Sequence, residues 1–160
     1  MSLLYKLTIP LFFLDQLTKL LVLNNLVLGD QKTIIPDFFN LVRVHNTGIA
    51  FGKFNDGDGS NVIFTVISLL AFLGIIFFWI RGHFPGKLNQ FAVALITAGV
   101  AGNVTDRILH GYVVDFLDFY IGDSHWPSFN VADSCICIAA SLIFISAFTK
   151  EGTNPQTEDK

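Results

Sequence analysis

The sequence predicts an all-α polytopic membrane protein, four transmembrane helices with a small outer β-rich lobe. Three observations carry this. Charged residues are only 14% of the 160 residues and hydrophobic ones 52%, whereas a soluble domain averages about 25% charged. Mean hydropathy is +0.57, and Phe occurs 17 times. Long stretches run without any Asp, Glu, Lys or Arg, at 59–80, 88–105 and 134–149. Between the apolar stretches lie two segments in which polar, β-branched and aromatic residues take over.

About 20 apolar residues cross a bilayer core as a helix, so 59–80 is a full span. The stretch 88–105 is a second. The stretch 134–149 reaches spanning length if its helix begins near Asn130. The first apolar run, 3–28, is interrupted by Asp15 and Lys19. It is too long for a signal-peptide core and has no Ala-x-Ala cleavage site, so it reads as a retained helix. The chain is then one integral membrane domain over 1–160, with spans at about 4–26, 61–80, 88–107 and 130–149. Outer segments cover about 29–60 and 108–129, and a polar, disordered tail covers 151–160.

Four spans put both termini on one side. Lys6, Arg81, Lys87, Lys150 and Lys160 share that side, against Lys32, Arg43, Lys53 and Arg107 on the other, which orients the termini to the cytoplasm. In the first outer segment, Ile34 to Asn46 favours extended structure, and Asn55-Asp56-Gly57-Asp58-Gly59 reads as a turn. The net charge of −3 comes with no clustered basic patch, which excludes a nucleic-acid partner. Cys135 and Cys137 stand two apart in a helical pattern, where side chains do not face each other. They read as small buried apolar residues rather than a disulfide or metal pair.

In such a chain the informative residues are the polar ones at membrane depth, because each costs roughly 2.5–3.5 kcal/mol there if it is charged. Asp15 and Lys19 stand at i and i+4, the spacing and order of a helical ion pair. Asn103, Asp106 and Arg107 share a face near the outer end of the third span, with Gly99 and Gly102 before them allowing close helix contact. Asp115 and Asp133 both fall at the outer boundary, with Trp126-Pro127 between them as an interfacial anchor. Asn130 is the expected N-cap of the last helix, which leaves Asp133 about one turn inside it.

Two close carboxylates in a dry site share a proton. The ionised one takes a proton from water while the other donates to a carbonyl oxygen, which is peptide hydrolysis without metal or covalent nucleophile. Other readings stand beside it. Gly122-Asp123-Ser124-His125 sets a Ser beside a His, without the elbow that a serine hydrolase needs. His45, His110 and His125 show no paired ligand spacing for a metal. A small transporter or proton relay would use the same aspartates, but Asn61, Thr65 and Ser68 all lie toward one end of the second span. A structural membrane adaptor would not need the aspartates at all.

At these residues the chain resembles the lipoprotein signal peptidase family, the bacterial signal peptidase II enzymes. The resemblance rests on Asp15-Gln16-x-x-Lys19, on Phe39-Asn40-Leu41-Val42 followed by Asn46-Thr47-Gly48-Ile49-Ala50-Phe51-Gly52, on Gly99 to Arg107, on Gly111-Tyr112-Val113-Val114-Asp115-Phe116, and on Phe129-Asn130-Val131-Ala132-Asp133-Ser134. Five motifs in order, over most of the chain, make it specific.

It implies an inner-membrane aspartyl endopeptidase, active toward the outer face, with Asp115 and Asp133 as catalytic dyad. Asp15, Lys19, Asn46, Gly48, Asn103, Asp106, Arg107 and Asn130 support the dyad or bind substrate. The substrate implied is a prolipoprotein bearing a lipobox, cut before its diacylglyceryl-modified cysteine. Membrane lipids are the other partner, a monomer is expected, and no metal or organic cofactor is implied. Ala98 replaces the first of two glycines common in the family, and Ile49 stands where a smaller residue is usual.

Overall fold

The computed structural model describes residues 2–48, 60–84 and 86–150. Expectations about Ile49, Gly52, the 55–59 turn and the 151–160 tail lie outside these residues.

Among the described residues there are four helices, α1 (Ser2–Asn25), α2 (Ser60–Ile80), α3 (Lys87–His110) and α4 (Val131–Lys150), with two strands between α1 and α2 and two between α3 and α4. At 1.5 Å rise per residue, helices of 20 to 24 residues match a hydrocarbon core of about 30 Å. Three are long and apolar enough to cross a membrane: Leu3–Asn25, Val62–Ile80 and Lys87–His110. The apolar stretch of α4, Val131–Ser146, is shorter. Compared with the expected spans, α3 runs one turn further, to His110. Gly111 ends it in the left-handed conformation (φ 80°), its N–H donating to Arg107 O, the geometry glycine adopts without a Cβ penalty.

Helix α3 is the core of the bundle. Ala92, Val93, Ala94, Leu95 and Ala98 are buried within it, the first four of them packed in two clusters with Leu4 and Leu7 of α1 and Cys135 and Ala139 of α4. No part of the apolar window of α2 is buried inside the protein, so this helix is left for lipid. Cys135 is buried as expected, but Cys137 is exposed: their 200° separation on a helix puts only one on the packed face.

The strands β1 (Gln31–Ile35), β2 (Phe39–Asn46), β3 (Val113–Ile121) and β4 (Ser124–His125) form an antiparallel sheet in the order β1-β2-β3-β4. The sheet therefore draws on both outer segments. Asn40 pairs with Asp118 and Val44 with Asp115, with an irregularity between Leu41 and Val44 where β2 carries one extra residue. Such a bulge bends the strand and re-aims its side chains. Strand β3 is buried almost continuously from Val113 to Phe116. Its Val114 and Phe116 pack with Val22 of α1, and the 126–129 segment zips against it through Trp126 N–H to Phe119 O at 2.8 Å and reciprocal bonds between Leu117 and Phe129.

Candidate active site

The polar residues converge where the sheet meets the ends of α1, α3 and α4. Lys19 of α1 is 2% exposed. An ammonium has three N–H donors, and all three are used: Asp15 Oδ2 at 2.9 Å, Asp106 Oδ2 at 2.9 Å and Asn103 Oδ1 at 3.0 Å. The i, i+4 pair expected from sequence is therefore a charge network shared by α1 and α3. Its carboxylates are satisfied further. Asp15 Oδ1 accepts from Ala132 N–H at 2.8 Å, Asp106 Oδ2 from Val114 N–H at 3.1 Å, and Gln16 bridges Asp15 and Asp106. Buried charges persist when paired and hydrogen-bonded in this way. Asp15 thus holds the start of α4, and Asp106 holds β3.

Three asparagine amides hold Asp115 and Asp133, and Asn103 ties them to that network. Each has its oxygen claimed by a group that only donates, which leaves its NH₂ for a carboxylate. Asn103 Oδ1 accepts from Lys19, and its Nδ2 donates to Asp133 Oδ1 at 2.8 Å. Asn130 Oδ1 accepts from Asp133 N–H at 2.9 Å, and its Nδ2 donates to Asp115 Oδ1 at 2.8 Å. Asn46 Oδ1 accepts from Gly48 N–H at 3.0 Å, and its Nδ2 donates to Asp115 Oδ2 at 3.0 Å. The amide orientations follow from this donor and acceptor count.

Asp133 has a local role as well. Asn130 caps α4 as expected, and Asp133 Oδ2 accepts from Asn130 N–H at 3.2 Å. The two residues form a reciprocal capping box. The acid one turn into the helix, which sequence left without an explanation, completes the helix start and is aimed by it.

Asp115 and Asp133 line one cavity of about 530 Å³ with Asn46, Asn103 and Arg107. Its other walls are Val113, Trp126 to Phe129, Ile136 and Cys137, mostly apolar. Asp115 is 2% exposed. Burial, and next the charge of Asp133, push its pKa up to about 7 against the opposing hydrogen bonds from Asn46 and Asn130 and the charge of Lys19. An acid poised near neutrality beside a second carboxylate is equipped for proton transfer. Arg107 Nε is buried and has no acceptor among the described residues.

All ten residues singled out in the sequence meet here. One group was missed, and the role of Asp118 could not be read from the sequence. Gln16 gave only its place inside a motif. Asp118 is 4% exposed and accepts from Asn40 Nδ2 at 2.9 Å and His125 Nδ1 at 2.8 Å. Its two partners come from two other strands, β2 and β4, which no local pattern reveals. His45 stacks on Tyr112 at 3.6 Å with His110 beyond it, so these two histidines are apart from the His125 cluster.

The profile of the signal peptidase (SPase) II family matches residues 7–149. The chain is 43% identical over 154 residues to the lipoprotein signal peptidase of Vibrio cholerae serotype O1, covering 93% of this chain and 88% of that one. It is 41% identical over 158 residues to that of Shewanella loihica, covering 97% and 91%. It also superposes on a bacterial membrane enzyme solved by the in meso method at 2.3 Å, with a TM-score of 0.88 and 30% identity over 100% of this chain and 96% of the other. With a matching family profile, close relatives and a shared fold, the chain belongs to the lipoprotein signal peptidase family, signal peptidase II.

Proposed function

We propose that this protein removes the signal peptide from diacylglyceryl-modified prolipoproteins, cutting before the lipidated cysteine, with Asp115 and Asp133 as an aspartyl dyad. The observation that carries the reading is the pair of carboxylates in one cavity, each aimed by asparagine amides. In the reaction, the two acids share a proton and hold a water. The ionised one takes a proton as the water attacks the scissile carbonyl, and the protonated one donates to the carbonyl oxygen. Arg107, a wall of the same cavity, sets a cation beside the two carboxylates.

The lipid of the substrate stays in the bilayer, and that anchoring sets the depth of the scissile bond. The apolar wall of Ile136 and Cys137 suits entry from the membrane. The protein sits in the bacterial cytoplasmic membrane as a monomer, termini in the cytoplasm and site toward the outer face, one membrane domain without metal or organic cofactor. A transport or relay role is disfavoured because the charged network gathers at one end of the bundle rather than through its depth.

The test is a gel-shift cleavage assay with a diacylglyceryl-modified precursor, beside Asp115→Asn and Asp133→Asn proteins shown to fold. Loss of roughly 10²–10⁴-fold in each is expected. Folded variants that cut as fast as wild type rule the dyad out.

A further inference from the structure

The cavity of the two carboxylates continues into a second one of about 470 Å³ over the sheet, and Asn46, Asp115, Trp126, Pro127 and Ser128 are walls of both. The halves differ in chemistry. The first adds an apolar wall of Val113, Phe129, Ile136 and Cys137 and, with Asp133, the cation Arg107. The second adds Gln31, Val42, Val44, Asp118 and His125. Two carboxylates, Asp115 and Asp118, thus face the second half, and among the described residues no Lys or Arg lines it.

Asp118 is not free to turn away. Asn40 Nδ2 fixes one oxygen and His125 Nδ1 the other. Because an ionised carboxylate only accepts, Nδ1 of His125 is the donor in this contact. The ring is further held by stacking on Tyr120 at 4.9 Å and 8°. The groove beyond Asp115 therefore presents two carboxylates, one of them fixed in place by Asn40 and His125.

We infer, resting on the protease reading above, that this groove binds the polypeptide following the lipidated cysteine, and that Asp118 makes the enzyme favour basic over acidic residues there. The scissile bond lies at Asp115, which belongs to both halves. The lipid occupies the apolar side, so the chain beyond the cysteine leaves over the sheet. A held carboxylate with reduced access to water acts on a charge in that path more strongly than an exposed one, and repulsion of the wrong charge is an effective source of discrimination.

The experiment uses two diacylglyceryl-modified precursors that differ only in the residue after the modified cysteine, Lys or Asp, cut by the purified full chain in lipid–detergent micelles. Wild type is expected to favour the Lys precursor in kcat/KM by roughly fivefold at low salt, the effect of about 1 kcal/mol, and the ratio should shrink as salt rises. Asp118→Asn should bring it near one. Gln31→Lys, at an exposed position lining the same cavity, should lower or invert it even if the Asp118 variant fails to fold. A wild-type ratio near one, or a ratio that both variants leave unchanged, overturns the inference while cleavage itself upholds the protease reading. Failure of wild type to cut either precursor overturns both.

Discussion

Asp115 is asked to be stable in two protonation states, and its surroundings pull both ways. Burial and the neighbouring Asp133 favour the proton, while two amide donors favour its loss. With the pKa near 7 against 3.8 unfolded, the folded protein binds the proton more tightly than the unfolded chain between these values. Stability then falls as pH rises from about 4 to 7. Thermal melts in detergent should show wild type losing stability from pH 5 to pH 8, and Asp115→Asn should flatten that slope. In the proposed reaction the same proton is needed, so kcat/KM should fall above about pH 7. A rate that climbs steadily to pH 9 contradicts the assignment.

The elements matter through how closely they approach. A Cβ on Gly99 of α3 would collide with the backbone oxygen of Ala132 on α4, and one on Gly102 would come within 2.5 Å of Asp15 Oδ2. Backbone cannot yield as a flexible side chain does, so Gly99→Ala must part the helices that carry Asn103 and Asp133. Overpacking of this kind costs about 1–3 kcal/mol. Gly74 on α2 has nothing within 4 Å of its Cβ position. Gly99→Ala should therefore lower the melting temperature by several degrees and reduce cleavage, whereas Gly74→Ala should do neither. Equal melting points for the two would show that the α3–α4 contact is not tight in the membrane. The small residues near the polar cluster were readable as a contact site from spacing. The partner was not, because α4 lies about thirty residues further along and its approach is fixed by packing.

The molecule as a whole has its charged network at one end of a bundle whose remaining surface suits lipid. Trp126 is 64% exposed beside that end, where an indole sits well at a membrane interface. The proposed orientation predicts where a charged maleimide can reach. In a Cys135→Ala, Cys137→Ala background, Asp123→Cys should be labelled from outside intact cells, and His83→Cys only after permeabilisation. The reverse pattern turns the protein over.

Membrane class, helix number, the Asp15–Lys19 pair, the Asn130 cap and the polar residues at the ends of the spans were legible in the residue order. Those features are local, or follow from the cost of a charge in hydrocarbon, which leaves sparse polar residues conspicuous. The pairing of both outer segments in one sheet, the bulge in β2 and the second role of Asp133 in a capping box were not. Nor was the Asp118–His125–Asn40 cluster, or the way Lys19 and two backbone N–H groups dictate which side of each asparagine meets a carboxylate. These depend on groups brought together from α1, β2, β3 and α4, and long-range packing rather than periodicity sets such contacts.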